Sequence, residues 1–238
     1  MKKILISVIS YSKEPWLSML ERSINTWDSI TVPNVETNFF CGGDVFKENG
    51  NVSYFPISEE FPYMAERTLL AFEYYLKTKE FDYLVRINSS MYVNKNSLWN
   101  FVDNLQGDVF GRIALPCNSI PFDWIHGYAF ILNRNTVQDI VINKEKLIPF
   151  NKDYFHEDVM LSKLIQDTGH KLTNIKIPHT VTLNNNGGYS IVSDDGRYDF
   201  SDFNKIKDYL KQCVFLRCKQ KNRNKDKNVM EGIYKSLK

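Results

Sequence analysis

The chain has 238 residues, of which 43% are hydrophobic, 14% aromatic and 24% charged. Those values exclude a disordered, collagen-like or disulfide-scaffold protein and leave room for one large domain or two small ones around a sizeable core. The net charge is only +2, yet residues 205–238 hold eleven Lys/Arg against three Asp/Glu, a net +8, so residues 1–204 carry −6. An acidic body with a basic tail calls for a reason.

Residues 3–9 form a short β-branched apolar run. It passes straight into Tyr11-Ser12-Lys13-Glu14 without a small-residue cleavage site, and so reads as a buried strand rather than a leader. Pro15 opens a helix with Trp16, Leu20, Ile24 and Trp27 on one stripe. Residues 35–41 read as a second strand, stopped by Gly42-Gly43-Asp44, and residues 51–55 as a third, before Pro56. Pro62 precedes a helix in which Ala65, Leu69, Phe72 and Leu76 recur at helical spacing. A strand over 81–87, a helix over 96–104, an extended segment over 108–113 and an apolar strand over 127–132 follow. Residues 157–168 form a helix with two acids in its first turn and Gly169 at its C′ position. Residues 171–177 read as a late strand, and the polar, Gly-rich stretch 184–200 as a mobile loop.

No apolar run approaches the ~20 residues that span a bilayer, so no transmembrane segment is expected and the location read is cytoplasmic. Cys41, Cys117, Cys213 and Cys218 are scattered, without metal or redox spacing, and are expected to be free thiols. The alternation of strands and helices indicates an α/β fold with parallel central strands. The division expected is one domain over residues 1–204 and a basic helical tail over residues 205–238. In such a sheet ligands bind beyond the carboxyl ends of the strands. Three segments should lie there: Ser10-Tyr11-Ser12, Arg86-Ile87-Asn88-Ser89-Ser90 and His156-Glu157-Asp158.

Tyr83-Leu84-Val85-Arg86-Ile87-Asn88-Ser89-Ser90-Met91-Tyr92-Val93-Asn94 resembles the metal-site segment of GT-A nucleotide-sugar glycosyltransferases. It is most similar to the β-1,3-galactosyltransferase and Fringe-like group, which typically reads Tyr-Leu-Val-Lys-Thr-Asp-Asp-Asp-Val-Phe-Val-Asn. Arg22-Ser23-Ile24-Asn25-Thr26-Trp27 resembles that group's early Arg…Thr-Trp helix. His126-Gly127-Tyr128-Ala129-Phe130-Ile131-Leu132 resembles its Gly-Gly-Tyr-Val-Leu-Ser strand. Glu157-Asp158-Val159 resembles its Glu-Asp-Val helix, and His179 follows at the interval of its C-terminal His. The likeness spans roughly residues 4–180. It implies a single GT-A (Rossmann-like) domain with a mixed, mainly parallel sheet.

The resemblance implies transfer of a sugar from a nucleotide diphosphate, UDP by default, to an acceptor hydroxyl. The acceptor classes weighed are a glycan, a lipid-linked or a protein hydroxyl, with a modified DNA base ranked below them. An inverting enzyme needs a carboxylate to deprotonate the acceptor and positive charge to hold the leaving diphosphate. Asp158 is the candidate base and Glu157 the fallback, although two acids in a first turn also simply suit the helix dipole. Ser10, Tyr11, Arg22 and Arg86 fall where the family contacts the nucleotide; Arg86 could instead pair with an acid such as Glu66. Asp123, Trp124, His126, Gly127 and Tyr128 fall where it borders the donor sugar and acceptor.

One departure bears on the cofactor. The family's Asp-x-Asp holds Mn²⁺ or Mg²⁺ because hard cations take carboxylate oxygens. Here Asn88, Ser89 and Ser90 offer only neutral ones, so a metal is expected to bind weakly or to be dispensable, with His179 the one further ligand candidate. Fixed cations can replace a metal at a leaving diphosphate, as in the core-2 N-acetylglucosaminyltransferases, and the tail supplies Arg217, Lys219 and Arg223. A non-catalytic relative that only binds a nucleotide sugar or glycan is the alternative reading.

Overall fold

Six consecutive buried residues, Ile4–Ile9, make strand β1 the spine of the larger of two sheets. A strand apolar on both faces needs cover on both. The structure is a computed structural model, and the described residues are 1–147, 156–176, 179–183, 188–193, 196–218, 220 and 222–238. β1 lies between β2 (Val35–Gly43) and β5 (Tyr83–Asn88), parallel to both. β3 (Lys47–Asn49) and β4 (Val52–Pro56) extend the sheet beyond β2, with β4 parallel to β2. On the other side, β8 (Trp124–Asn133) runs antiparallel to β5 and to β7 (Val109–Ala114), and β9 (Leu172–Asn174) closes the edge. The order is β3-β4-β2-β1-β5-β8-β7-β9. This is the mixed α/β sheet expected, with its parallel strands grouped at β4-β2-β1-β5.

The period of two along each strand divides the core. Ile4, Ile6, Val8, Val85 and Ile87 face one cluster. There they meet helices α1 (Trp16–Asn25) and α3 (Lys95–Asp103) and the C-terminal segment. Leu5, Ile9 and Leu84 face the other, made by α2 (Met64–Thr78), α4 (Arg134–Ile142) and α5 (Glu157–Asp167). Asn94 and Asn133 cap α3 and α4, each side chain accepting a backbone N–H three residues on. Gly169 takes φ +88° just past α5, as its C′ position requires.

A second sheet has the order β12-β11-β10-β13-β6. β6 (Met91–Val93) begins three residues after β5 ends, so Ser89-Ser90 is the corner where the chain leaves one sheet for the other. β13 (Phe215–Cys218) lies between β6 and β10 (His179–Leu183). β11 (Tyr189–Ser193) and β12 (Gly196–Phe200) complete the sheet as an antiparallel pair.

Two expectations are corrected here. Stretch 184–200 contains β11 and β12, not only loop; residues 184–187 and 194–195 lie outside the described residues. Their signal was weak because β12 buries only Phe200, which leaves no apolar run to read. The tail is not simply helical: β13 sits between α6 (Lys207–Gln212) and α7 (Asp226–Leu237). Its Phe215, Leu216 and Cys218 belong to the same core cluster as β1.

Candidate active site

The register of the parallel strands sets the site. Ile9 is level with both Phe40 and Asn88, so Ser10 and Ser89 continue side by side past the sheet's carboxyl edge. β13 brings the tail to the same edge: Arg217 is level with Met91, and the Cys218 N–H donates to the Ser90 carbonyl at 2.8 Å. The result is a cavity of about 270 Å³ lined by Ile9, Tyr11, Trp16, Phe61, Met64, Asn88, Ser89, Ser90, Arg217 and Arg223. Another cavity of about 260 Å³, against Ile57, Leu69, Leu147 and Met160, contains none of these strand-end groups. The chemistry points to the former.

Both tail arginines rest on aromatic rings. The Arg217 guanidinium carbon is 4.1 Å from the Tyr128 ring centroid, and that of Arg223 is 4.7 Å from the Trp16 centroid. Arg223 also pairs at 2.7 Å with Asp226, which is fully buried and accepts the Gln220 N–H at 2.8 Å. Burial pulls both guanidinium pKa values below the usual range, opposed at Arg217 chiefly by Tyr128 and at Arg223 by Asp226. Arginine stays charged through such shifts. Lys219 and Lys221 lie outside the described residues.

Behind this wall is a dense ion pair. Arg86 shares the face of β5 that carries Leu84, and so meets α5. Its Nε donates to Glu157 Oε1 at 3.0 Å and its Nη2 to Glu157 Oε2. Nη1 reaches Asn88 Oδ1 at 2.6 Å and the Gly127 carbonyl. Thr68 adds a hydroxyl to Glu157 Oε1 at 2.5 Å. Burial pushes the Glu157 carboxyl up, and Arg86 and Thr68 pull it back. Glu157 is therefore the anchor of α5 and not a fallback base, because both oxygens are engaged and the side chain is only 2% exposed. Arg86 pairs with Glu157, not with Glu66.

Asp158, the next residue, projects differently. Its Oδ2 accepts the Gly127 N–H at 2.7 Å and its Oδ1 the Val159 N–H at 3.1 Å. Each oxygen keeps further acceptor capacity, and the residue is only half-buried. A β-carbon on Gly127 would sit 2.8 Å from Asp158 Oδ2, so the absence of a side chain there is what lets the carboxylate lie on β8. His126 and Tyr128 flank Gly127 and stack at 5.0 Å. Burial and the cations Arg112 and Arg217 lower the His126 pKa against the pull of Asp158.

The other expected residues disperse. Ser10 is fully buried at the end of β1. Arg22 pairs with Glu231 of α7 at 3.0 Å, which ties α1 to the tail and keeps Arg22 out of the cavity. The Asp123 carbonyl accepts from Gln166 at 2.8 Å, and Trp124 begins β8 opposite Ala114. His179 lies on β10 opposite Leu216 and contacts the Tyr209 hydroxyl at 3.2 Å; it does not line the cavity. Among the described residues no group of three or more His, Cys, Asp or Glu is placed to hold a metal ion. Asn88, Ser89 and Ser90, which the sequence resemblance sets at the Asp-x-Asp position, do not fit Mn²⁺ or Mg²⁺ either. Asn88 Oδ1 is taken by Arg86, and Ser89 and Ser90 are neutral and 2% exposed.

Sequence reading missed Trp16, Phe61 and Met64 as cavity walls. Trp16 was legible only as part of an apolar helical stripe, and such a stripe does not say which residue ends at a cleft. It also missed Thr68, whose contact with Glu157 spans 89 positions and leaves no local trace.

Compared with protein-family models and with curated proteins, the sequence matches none. Solved structures do match. The fold is similar to that of a glycosyltransferase involved in the glycosylation of the major capsid of PBCV-1, with a TM-score of 0.57. The two are 10% identical over 96% of this chain and 98% of that one. The chain thus has a mixed α/β fold of the GT-A-like kind found in a glycosyltransferase.

Proposed function

We propose that this chain is an inverting glycosyltransferase that takes a sugar from a nucleotide diphosphate, UDP by the sequence resemblance, and holds the leaving diphosphate with tail arginines rather than a metal. The observation that carries this reading is that Arg217 and Arg223 share one cavity with Asn88, Ser89 and Ser90. The carboxylates that would bind a metal are replaced, and two cations stand beside their positions. Guanidinium groups match phosphate oxygens bidentately. Rings under both guanidiniums hold them in place without consuming their N–H donors.

In the reaction proposed, Asp158 removes the proton of the acceptor hydroxyl. The oxygen forms a bond to the anomeric carbon, and the bond from that carbon to the phosphate oxygen breaks. The electron pair leaves with the nucleoside diphosphate, whose charge Arg217 and Arg223 neutralise. Tyr128, which packs under the Arg217 guanidinium and stacks on His126, is proposed to offer an aromatic surface to the sugar. The acceptor is proposed to be a glycan, lipid-linked or protein hydroxyl.

The test is release of UDP from UDP-sugars, with and without acceptor and with and without EDTA. Turnover that survives EDTA and disappears in Arg217→Ala supports the reading. Full activity in Arg217→Ala removes the arginines from it. Binding of UDP without any turnover turns the chain into the non-catalytic relative, for which the missing carboxylates are the observation in favour.

A further inference from the structure

Beneath the Tyr11 wall of the cavity lies a charged group that the proposed reaction does not use. Arg67, one turn along α2 from Met64, is fully buried. None of its three guanidinium nitrogens has a hydrogen-bond partner among the described residues. A guanidinium carries five N–H donors and a permanent charge, and burying them unsatisfied is among the costlier things a fold can do. The Tyr11 ring covers it, with its centroid 4.5 Å from the guanidinium carbon. That contact offsets part of the charge and none of the N–H groups.

The nearby acids are already engaged. Glu157 is within electrostatic range of Arg67, but its oxygens accept from Arg86 and Thr68. Glu59 accepts the N–H and the hydroxyl of Ser12 at 2.7 and 2.8 Å. Arg86, equally buried on β5, shows what a structural arginine here does: it spends its donors on a carboxylate, an amide and a carbonyl.

We propose that Arg67 forms a second, covered anion subsite of the donor cavity, in which it takes an anionic oxygen of the donor once the Tyr11 ring moves aside. The inference rests on the proposed function and deepens it. The shared chemistry is a phosphate or carboxylate oxygen, supplied by the donor's diphosphate or by the carboxylate of an acidic donor sugar. Tyr11 is both the cover of this subsite and a wall of the open cavity, so one ring separates the two.

The experiment measures melting and binding of uridine, UDP, UDP-glucose and UDP-glucuronate on the full chain, as wild type, Arg67→Met and Arg67→Lys. Without ligand, Arg67→Met is expected to melt at or above wild type, since an apolar chain of similar length replaces an unsatisfied buried cation. Its affinity is expected to fall at least about tenfold for the ligand that supplies the anion, with uridine unchanged. A loss shared by UDP and both sugar nucleotides assigns the diphosphate; a loss confined to UDP-glucuronate assigns the sugar carboxylate. Arg67→Lys, which keeps the charge without the planar fork, is expected to lose affinity in the same pattern, and it decides the matter if Arg67→Met does not fold. Wild-type affinity for every ligand in a folded Arg67 variant overturns the subsite alone. Failure of the wild type to bind any of the nucleotides overturns the proposed function as well.

Discussion

Adjacent acids on one helix turn meet different partners. Glu157 is locked to Arg86 and Thr68, while Asp158 accepts two backbone N–H groups and stays half-open. Glu157→Gln leaves the buried Arg86 without its carboxylate, which is expected to destabilise the protein by about 3–5 kcal/mol. Asp158→Asn keeps an acceptor for the Gly127 N–H, so its stability is expected to stay within about 1 kcal/mol of wild type. Its turnover is expected to drop by about 10²–10⁴ with loss of the base. Thermal melts beside UDP-release rates check both; an Asp158→Asn protein with wild-type turnover is incompatible with the base assignment. Gly127→Ala belongs to the same contact. The new methyl would lie within 3.0 Å of three Asp158 atoms, so Asp158 must shift, and turnover is expected to fall while nucleotide affinity, read by titration, holds. Such residue-scale facts were only half legible. The Glu157-Asp158 pair was visible from its place at a helix start, but which acid is buried depends on Arg86, 71 positions away.

At the scale of elements, contiguous apolar runs were readable because strands covered on both faces have no polar side to dilute the pattern; β1 and β5 are the examples. Strands β6, β10 and β13 were not. Each is three to five residues long and gains its order from neighbours on the second sheet. Helix α4 was also missed, although Asn133 caps it through Thr136 at 2.8 Å. Its packing against α2 has an electrostatic complement just beyond it. Glu73 of α2 bonds Lys77 at 2.8 Å and Lys144 at 2.9 Å, and these two hold its carboxyl at about 2 instead of 4.5. The unfolded chain therefore takes up the proton first on acidification. The stability from this contact is present above pH 4.5 and is lost as the pH falls toward about 2. Glu73 is 30% exposed and its partners more so, and screening limits the contribution to no more than about 1 kcal/mol. Lys144→Met is expected to raise the Glu73 pKa in an NMR titration while the native melting temperature at pH 7 moves little. An unchanged Glu73 titration would contradict the pairing.

At the scale of the whole molecule, the lopsided charge has a structural counterpart. The basic tail is woven into the protein, because β13 pairs with β6 on one side and β10 on the other. Leu210, Val214, Phe215, Leu216, Val229, Met230 and Ile233 are all buried. At about 1.5–3 kcal/mol for each such side chain, their loss is as large as the roughly 5–15 kcal/mol by which a domain is usually stable. The same segment places Arg217 and Arg223 at the cavity, so fold and proposed chemistry depend on one stretch of chain. A protein ending before residue 205 is therefore expected to lack a cooperative melting transition, not merely to lose turnover. The paired charge change Arg217→Gln with Arg223→Gln should separate the two roles. It removes both cations but none of those apolar side chains, and so should melt cooperatively while losing nucleotide affinity and the salt dependence that phosphate contacts confer. If the truncated chain instead melted cooperatively near the wild-type temperature, the tail would be an appendage, and β13 would not be the strand that holds the second sheet to the first.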